Sequence, residues 1–259
     1  MPYMPMSLDL QAVYYDAISP RSRLPIVTDI NLHFATGQLH ALIGPNGAGK
    51  TTVLRLACGL LSPTQGEVLV QSGRFENRQW RARHFAYLPQ FQSVAWPLST
   101  REVAALGLYS FAEMTRAEIQ SRVEHALERC GVVDLRDRLI TELSGGERAR
   151  VMLARLLVSD APFLLLDEPV QSLDPAWAIG LMTILAEEAA AGRGIICVMH
   201  DLNLVRHYCD QVALLGNGAL QAYGVPARVI RAEILQSVFA TPFQDRDGFV
   251  LPRLEPVPS

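Results

Sequence analysis

Three short apolar runs, Leu39–Ile43, Phe163–Leu166 and Gly194–Met199, stand out from an otherwise mixed chain, and each ends abruptly in glycine, acid or histidine. Continuous apolarity over so few residues predicts strands covered on both faces, as in a parallel sheet. Earlier residues behave differently. Leu8–Tyr15 alternates in part, Ile18–Pro25 reads as a loop, and Ile30–Phe34 predicts a second short strand before the turn Ala35-Thr36-Gly37. Glu67–Val70 and Phe85–Leu88 are further strand candidates, and Val212–Leu215 with Ala219–Tyr223 forms a hairpin around Gly216-Asn217-Gly218. This order suits an antiparallel layer in front of a parallel core.

Helical spacing takes over between Gln90 and Ser159. Ser99 with Glu102, Thr115 with Glu118 and Ser144 with Glu147 each place an acid three residues after a hydroxyl, the pattern of a capping box. Ile119, Val123, Leu127 and Cys130 then recur on one helix face, while Val151, Leu153, Leu156 and Leu157 follow the third cap. The segment 90–159 is therefore expected as a helical subdomain inserted into an α/β core made of 1–89 and 160–240. Val53–Leu60 predicts a helix, Asp174-Pro175 caps another that runs to about Ala191, and Pro226–Val229 and Ala232–Phe239 are short helices. Residues 241–259 are Pro-rich and read as a mobile or late-packing tail.

Charge and composition narrow the classes without naming one. The chain has 259 residues, 49% hydrophobic and 19% charged, with a formal charge of −3. That is enough for one large core, and it offers no general attraction to nucleic acid. Basic residues cluster at Arg74–Arg83 but are mixed with Glu76 and aromatics, so no nucleic-acid partner is expected. No apolar stretch approaches the roughly 20 residues of a spanning helix, and the start lacks a signal-peptide pattern, which points to the cytosol. Cys58, Cys130, Cys197 and Cys209 are dispersed, as structural thiols in a reducing compartment would be.

Chemistry enters directly after Leu39–Ile43. Gly44-Pro45-Asn46-Gly47-Ala48-Gly49-Lys50-Thr51-Thr52 sits between a strand and a helix and matches the phosphate-binding loop pattern. Glycines let successive N–H groups turn toward phosphate oxygens, Lys50 reaches the β- and γ-phosphates, and the Thr51 hydroxyl sits on magnesium. Asp167 and Glu168 end a second apolar strand. In parallel sheets ligands gather beyond the carboxyl ends of strands, so Asp167 is expected to hold the metal through water and Glu168 to polarise an attacking water. His200 ends a third strand, where it can contact the γ-phosphate or hold that water. Gly145 and Gly146, in a first helical turn, cost about 1 kcal/mol each relative to alanine. Backbone access to a phosphate is a physical reason to keep them.

Together the phosphate loop, Leu143-Ser144-Gly145-Gly146-Glu147 and Leu164-Leu165-Leu166-Asp167-Glu168 resemble the ATPase subunits of ATP-binding cassette (ABC) transporters, over residues 8–240. The resemblance implies a P-loop NTPase of ABC type: α/β, a mixed central sheet, an N-terminal antiparallel β layer and an inserted helical subdomain. It implies a magnesium-dependent ATPase with ATP and Mg2+ as cofactors. Gln90 becomes a magnesium and water sensor that relays to the membrane subunit, His200 the switch histidine, and Ser172-Leu173-Asp174 a loop that communicates across a dimer. Ser144, Gly145 and Gly146 of a second copy would close on the γ-phosphate. Partners are implied as well: a second copy, transmembrane permease subunits and an extracytoplasmic binding protein, with this chain on the cytoplasmic face of a bacterial inner membrane.

Two places depart from the family pattern. The aromatic expected to stack on adenine falls nearer Ala17; Tyr15 is available, with strand packing as its other role. Gln171 stands where serine is usual. Tyr87-Leu88-Pro89-Gln90, Trp96-Pro97-Leu98-Ser99 and Val103–Gly107 resemble the importer branch for ferric siderophores, haem or cobalamin. Zinc or manganese importers are the alternative, and a soluble, non-transport ABC ATPase is a more distant one.

Overall fold

The computed structural model describes residues 4–19, 22–71, 73–75, 77–90, 97–111, 113–171, 173–246 and 248–253. Its first two strands, β1 (Ser7–Ser19) and β2 (Ser22–Ala35), are far longer than alternation suggests. Their antiparallel pairing runs on to Ser19 opposite Ser22, so the described residues of the expected loop Ile18–Pro25, 18–19 and 22–25, are paired strand instead. Pro25 is compatible because β2 is an edge strand of its sheet. β3 (Leu39–Ile43) comes next, then α1 (Lys50–Ala57), β4 (Gln65–Val70) and the two-residue β5 (Gly73–Arg74). The first sheet has the order β2-β1-β4-β5.

The basic cluster contains α2 (Arg78–His84), a short helix that the sequence pattern did not predict. Asn77 caps it by accepting from Trp80 N at 2.8 Å. Edge strand β6 (Phe85–Leu88) leads to α3 (Thr100–Ala105), α4 (Arg116–Arg129) and α5 (Gly145–Leu157), which pack on one another. All three expected capping boxes are present, at Ser99, Thr115 and Ser144. Cys130 is fully buried on the predicted stripe.

The remaining core comprises β7 (Phe163–Asp167), α6 (Pro175–Ala190), β8 (Gly194–Val198), α7 (Leu202–Tyr208), and the hairpin of β9 (Gln211–Gly216) with β10 (Ala219–Gly224). The short helices α8 (Pro226–Val229) and α9 (Ala232–Phe239) come after it. Strand order in the central sheet is β10-β9-β3-β8-β7-β6, parallel except for β10, hence mixed. Side chains of the apolar strands alternate between two cores. Leu39, Ala41, Ile43, Leu164 and Leu166 join the cluster shared with the helices; Leu42, Phe163 and Leu165 join the one beneath the antiparallel layer and α1. Both faces are covered, which is why the strands read as unbroken apolar runs.

The expected loose tail carries a hairpin instead. β11 (Phe243–Arg246) and β12 (Phe249–Pro252) pair with each other and dock on α7. Asn203 grips the backbone of Val250 from both sides, accepting from its N–H at 2.9 Å and donating to its carbonyl at 3.4 Å. Arg206 pairs with Asp245 at 2.6 Å.

Candidate active site

Parallel pairing of β3, β8, β7 and β6 brings four strand ends to one edge of the sheet. The phosphate loop, His200, the Asp167–Glu168 pair and Gln90 stand at those ends. Chain distance between them is large, so the juxtaposition is a product of strand order alone.

At Gly44, with φ 144°, a Cβ would stand 2.1 Å from the Leu215 carbonyl oxygen, so the loop can leave β3 only through glycine. Gly49, with φ 90°, occupies the cap position, and α1 begins at Lys50 itself, earlier than Val53 as expected from the apolar pattern. Lys50 is 6% exposed and donates to the carbonyl oxygens of Gly44 and Pro45, both at 2.8 Å. Burial lowers its pKa, while Glu168 and then Asp167 push the other way. An ammonium group held inside a turn by neutral carbonyls, beside a helix start with unpaired N–H groups, is equipped to receive an anion.

Asp167 is 1% exposed. Thr51 Oγ1 donates to its Oδ1 at 3.0 Å, and the Tyr87 hydroxyl donates to its Oδ2 at 3.4 Å. Burial raises its pKa; the Thr51 bond opposes that shift and the neighbouring Glu168 charge adds to it. A hydroxyl and a carboxylate in contact form a hard-oxygen set that fits magnesium completed by water and phosphate oxygens. Glu168 has the left-handed backbone of φ 53°, a conformation costly for a side-chain-bearing residue. Its Oε1 lies 2.9 Å from His200 Nε2, and its Oε2 accepts from Gln90 Nε2 at 2.8 Å. Gln90 Nε2 also donates to Gln171 Oε1 at 3.1 Å, so the residue that departs from the family pattern takes part in this network. Gln90 is thus placed on Glu168; among the described residues no hydrogen bond joins it to Thr51 or Asp167.

Ser144, Gly145 and Gly146 open α5. Ser144 N and Oγ donate to Glu147 Oε2 at 2.8 and 2.7 Å, which completes the cap within this chain. A Cβ added to Gly145 or Gly146 would meet nothing within 4 Å among the described residues. Neither glycine is required by packing of the subunit itself. Tyr15, opposite Val27 in the β1–β2 pair, packs against the core of the antiparallel layer. The Val27 side chain lies 3.2 Å from where a Gly49 Cβ would stand, so Tyr15 is one strand away from the phosphate loop. Trp96 and Ser172 lie outside the described residues.

Two residues reach the site without a predicted role. Tyr87 contacts Asp167, and Arg55 Nε in turn donates to the Tyr87 hydroxyl at 3.4 Å. Arg55 lies one turn after Thr51 on α1, which is legible in the sequence. Tyr87 becomes visible only once β6 is placed beside β7, with Tyr87 opposite Leu165.

Comparison with known proteins gives one family. The sequence model of the family described as ABC transporter matches residues 27–171. The hemin import ATP-binding protein HmuV of Bordetella bronchiseptica is 38% identical over 230 residues, covering 85% of this chain and 88% of that protein. The cobalamin import ATP-binding protein BtuD of Halobacterium salinarum is 34% identical over 238 residues, covering 90% of this chain and 59% of its own length. Among solved structures, an ABC transporter described as of metal-chelate type, in an inward-facing conformation, superposes with a TM-score of 0.80 at 23% identity over 96% of this chain and 98% of that one. A dimeric bacterial ABC transporter cassette gives 0.78 at 23% identity over 85% and 98%. At such identity the two structures speak for the fold.

Proposed function

This chain belongs to the ABC transporter family, and from that premise we propose that it is the ATP-hydrolysing subunit of a bacterial importer for a metal chelate of the haem or cobalamin kind. The carrying observation is the meeting of Lys50, the Thr51–Asp167 pair and Glu168, with His200 on one Glu168 oxygen and Gln90 on the other, at one sheet edge. The cargo class is supported by the relatives, whose names specify hemin and cobalamin import.

In this reading the triphosphate lies along residues 44–52, and Lys50 exchanges the Gly44 and Pro45 carbonyls for phosphate oxygens. Thr51 and Asp167, with Gln90 turning its amide oxygen inward, would hold magnesium, which would neutralise charge on the triphosphate. Glu168 orients a water and takes its proton as the water oxygen bonds to the γ-phosphorus and the bridging oxygen departs with ADP. Both Glu168 oxygens already have donors, so the water enters by displacing one of them. His200 then holds the carboxylate in position. In the same reading Tyr15, one strand from the phosphate loop, borders the adenine.

A second copy supplies Ser144, Gly145 and Gly146 to the γ-phosphate, and the clear space above those glycines supports that reading. The membrane partner sits against the groove of about 170 Å³ between β6 and the helical subdomain. Arg155 lines that groove; burial lowers its pKa, and it has no acceptor among the described residues. A half-buried guanidinium without a partner is a cost that an incoming acidic group or helix end would offset. The chain then works at the cytoplasmic face of the inner membrane, with an extracytoplasmic binding protein delivering cargo to the permease.

Glu168→Gln tests the assignment. ATP binding persists, turnover falls about 100- to 1,000-fold as expected for loss of a general base, and the nucleotide-bound protein runs as a dimer in light scattering. Turnover at the unmodified rate would remove Glu168 from the mechanism.

A further inference from the structure

Tyr87 stands opposite Leu165 in the β6–β7 pair; its ring packs on that face against the core beneath the antiparallel layer, and its hydroxyl reaches Asp167. The hydroxyl accepts from Arg55 Nε and donates to Asp167 Oδ2, each at 3.4 Å. Asp167 Oδ1 is already taken by Thr51 at 3.0 Å. One carboxylate oxygen is therefore fixed from the phosphate-loop helix, and the other from the edge strand β6. Contacts of this length are looser than a good hydroxyl–carboxylate bond, and such bonds commonly tighten when the reacting complex assembles.

Groups that hold a metal-bearing carboxylate set its orientation, and with it the affinity of the site. The hydroxyl of Tyr87 is the group in that position on the Oδ2 side, and Arg55 steadies it from the outer end of α1. We propose that Tyr87 is a positioning residue that fixes Asp167 for the magnesium–ATP complex. This rests on the nucleotide reading above and deepens it: the carboxylate that would hold magnesium is steadied from an edge strand as well as from the phosphate-loop helix.

The test is Tyr87→Phe, which keeps the ring and removes the hydroxyl, made in the Glu168→Gln background so that nucleotide is retained. Mn2+ serves as probe, titrated by electron paramagnetic resonance in the presence of ATP. The expected result is Mn2+ affinity weakened about 3- to 10-fold, the scale of one hydrogen bond, with ATP affinity measured in EDTA unchanged. A merely structural role would move both affinities together or lower thermal stability. Arg55→Met, which keeps Tyr87 and loses its donor, should give a smaller weakening of the same kind. Mn2+ affinity within twofold of the parent in folded Tyr87→Phe overturns the proposal. Failure of the parent itself to bind ATP, or indifference of ATP binding to Lys50→Ala, would instead overturn the nucleotide reading.

Discussion

Replacing Gly145 and Gly146 together by alanine separates the needs of the subunit from those of its assembly. In a helix interior glycine is less favourable than alanine by about 0.8–1.0 kcal/mol. These two occupy the first turn, where fewer intrahelical bonds constrain the backbone, so about 0.5 kcal/mol each is a fair figure. No described heavy atom lies within 4 Å of either new methyl group, and neither residue has a positive φ, so no steric or conformational loss offsets the gain. The nucleotide-free double variant should therefore be more stable than the parent by about 1 kcal/mol, a rise of roughly 2–4 °C in melting temperature for a chain of this size. Urea unfolding of the isolated subunit measures it. The same methyl groups would stand where the γ-phosphate of a second subunit has to approach. ATP-driven dimerisation in the Glu168→Gln background, followed by light scattering, should weaken at least tenfold. If the double variant is destabilised, the glycines serve the fold. If it dimerises as the parent does, no phosphate is received there.

Two further outcomes concern groups outside the site. His40 is 1% exposed, with Nδ1 unpartnered among the described residues and Nε2 against the Ala35 carbonyl at 3.2 Å; burial lowers its pKa from 6.5 to about 4. Between those values the unfolded chain binds a proton that the folded chain refuses, so this group makes stability rise with pH through that window and costs about 3 kcal/mol once pH falls below 4. His40→Asn should flatten that part of the urea-stability profile between pH 4.5 and 6.5, and an unchanged slope would assign it elsewhere. Arg129 on α4 ties the helical subdomain to Glu187 and Glu188 on α6, while Arg193 pairs with Glu188 at 3.2 Å. Arg129→Met leaves Glu188 one remaining cation, so a loss of about 1–2 kcal/mol in urea unfolding is expected; a change under about 0.3 would mean that the clamp contributes nothing.

Much of this molecule was local and therefore legible. The phosphate loop, the three capping boxes and the apolar strands depend on neighbours within a few residues, and glycine spacing, hydroxyl–acid spacing and unbroken apolarity record them. Even the uncompensated helix penalty at Gly145 and Gly146 could be read, since propensity is a property of the residue. Where local preference and long-range packing diverged, the expectation failed. Ile18–Pro25 has the look of a loop, yet an edge position leaves room for Pro25 and the pairing continues. The region after Thr241 is Pro-rich, yet the amide of Asn203, 47 residues before Val250, satisfies the Val250 backbone and fixes a hairpin. The site divides along the same line. Sequence singled out the side chains to which the chemistry is assigned. Only the strand order decided that Gln90 and His200 would grip the two oxygens of Glu168, and that Tyr87 on an edge strand would face Asp167, because strand order is settled by covering both faces of one sheet and no stretch of chain contains that information by itself.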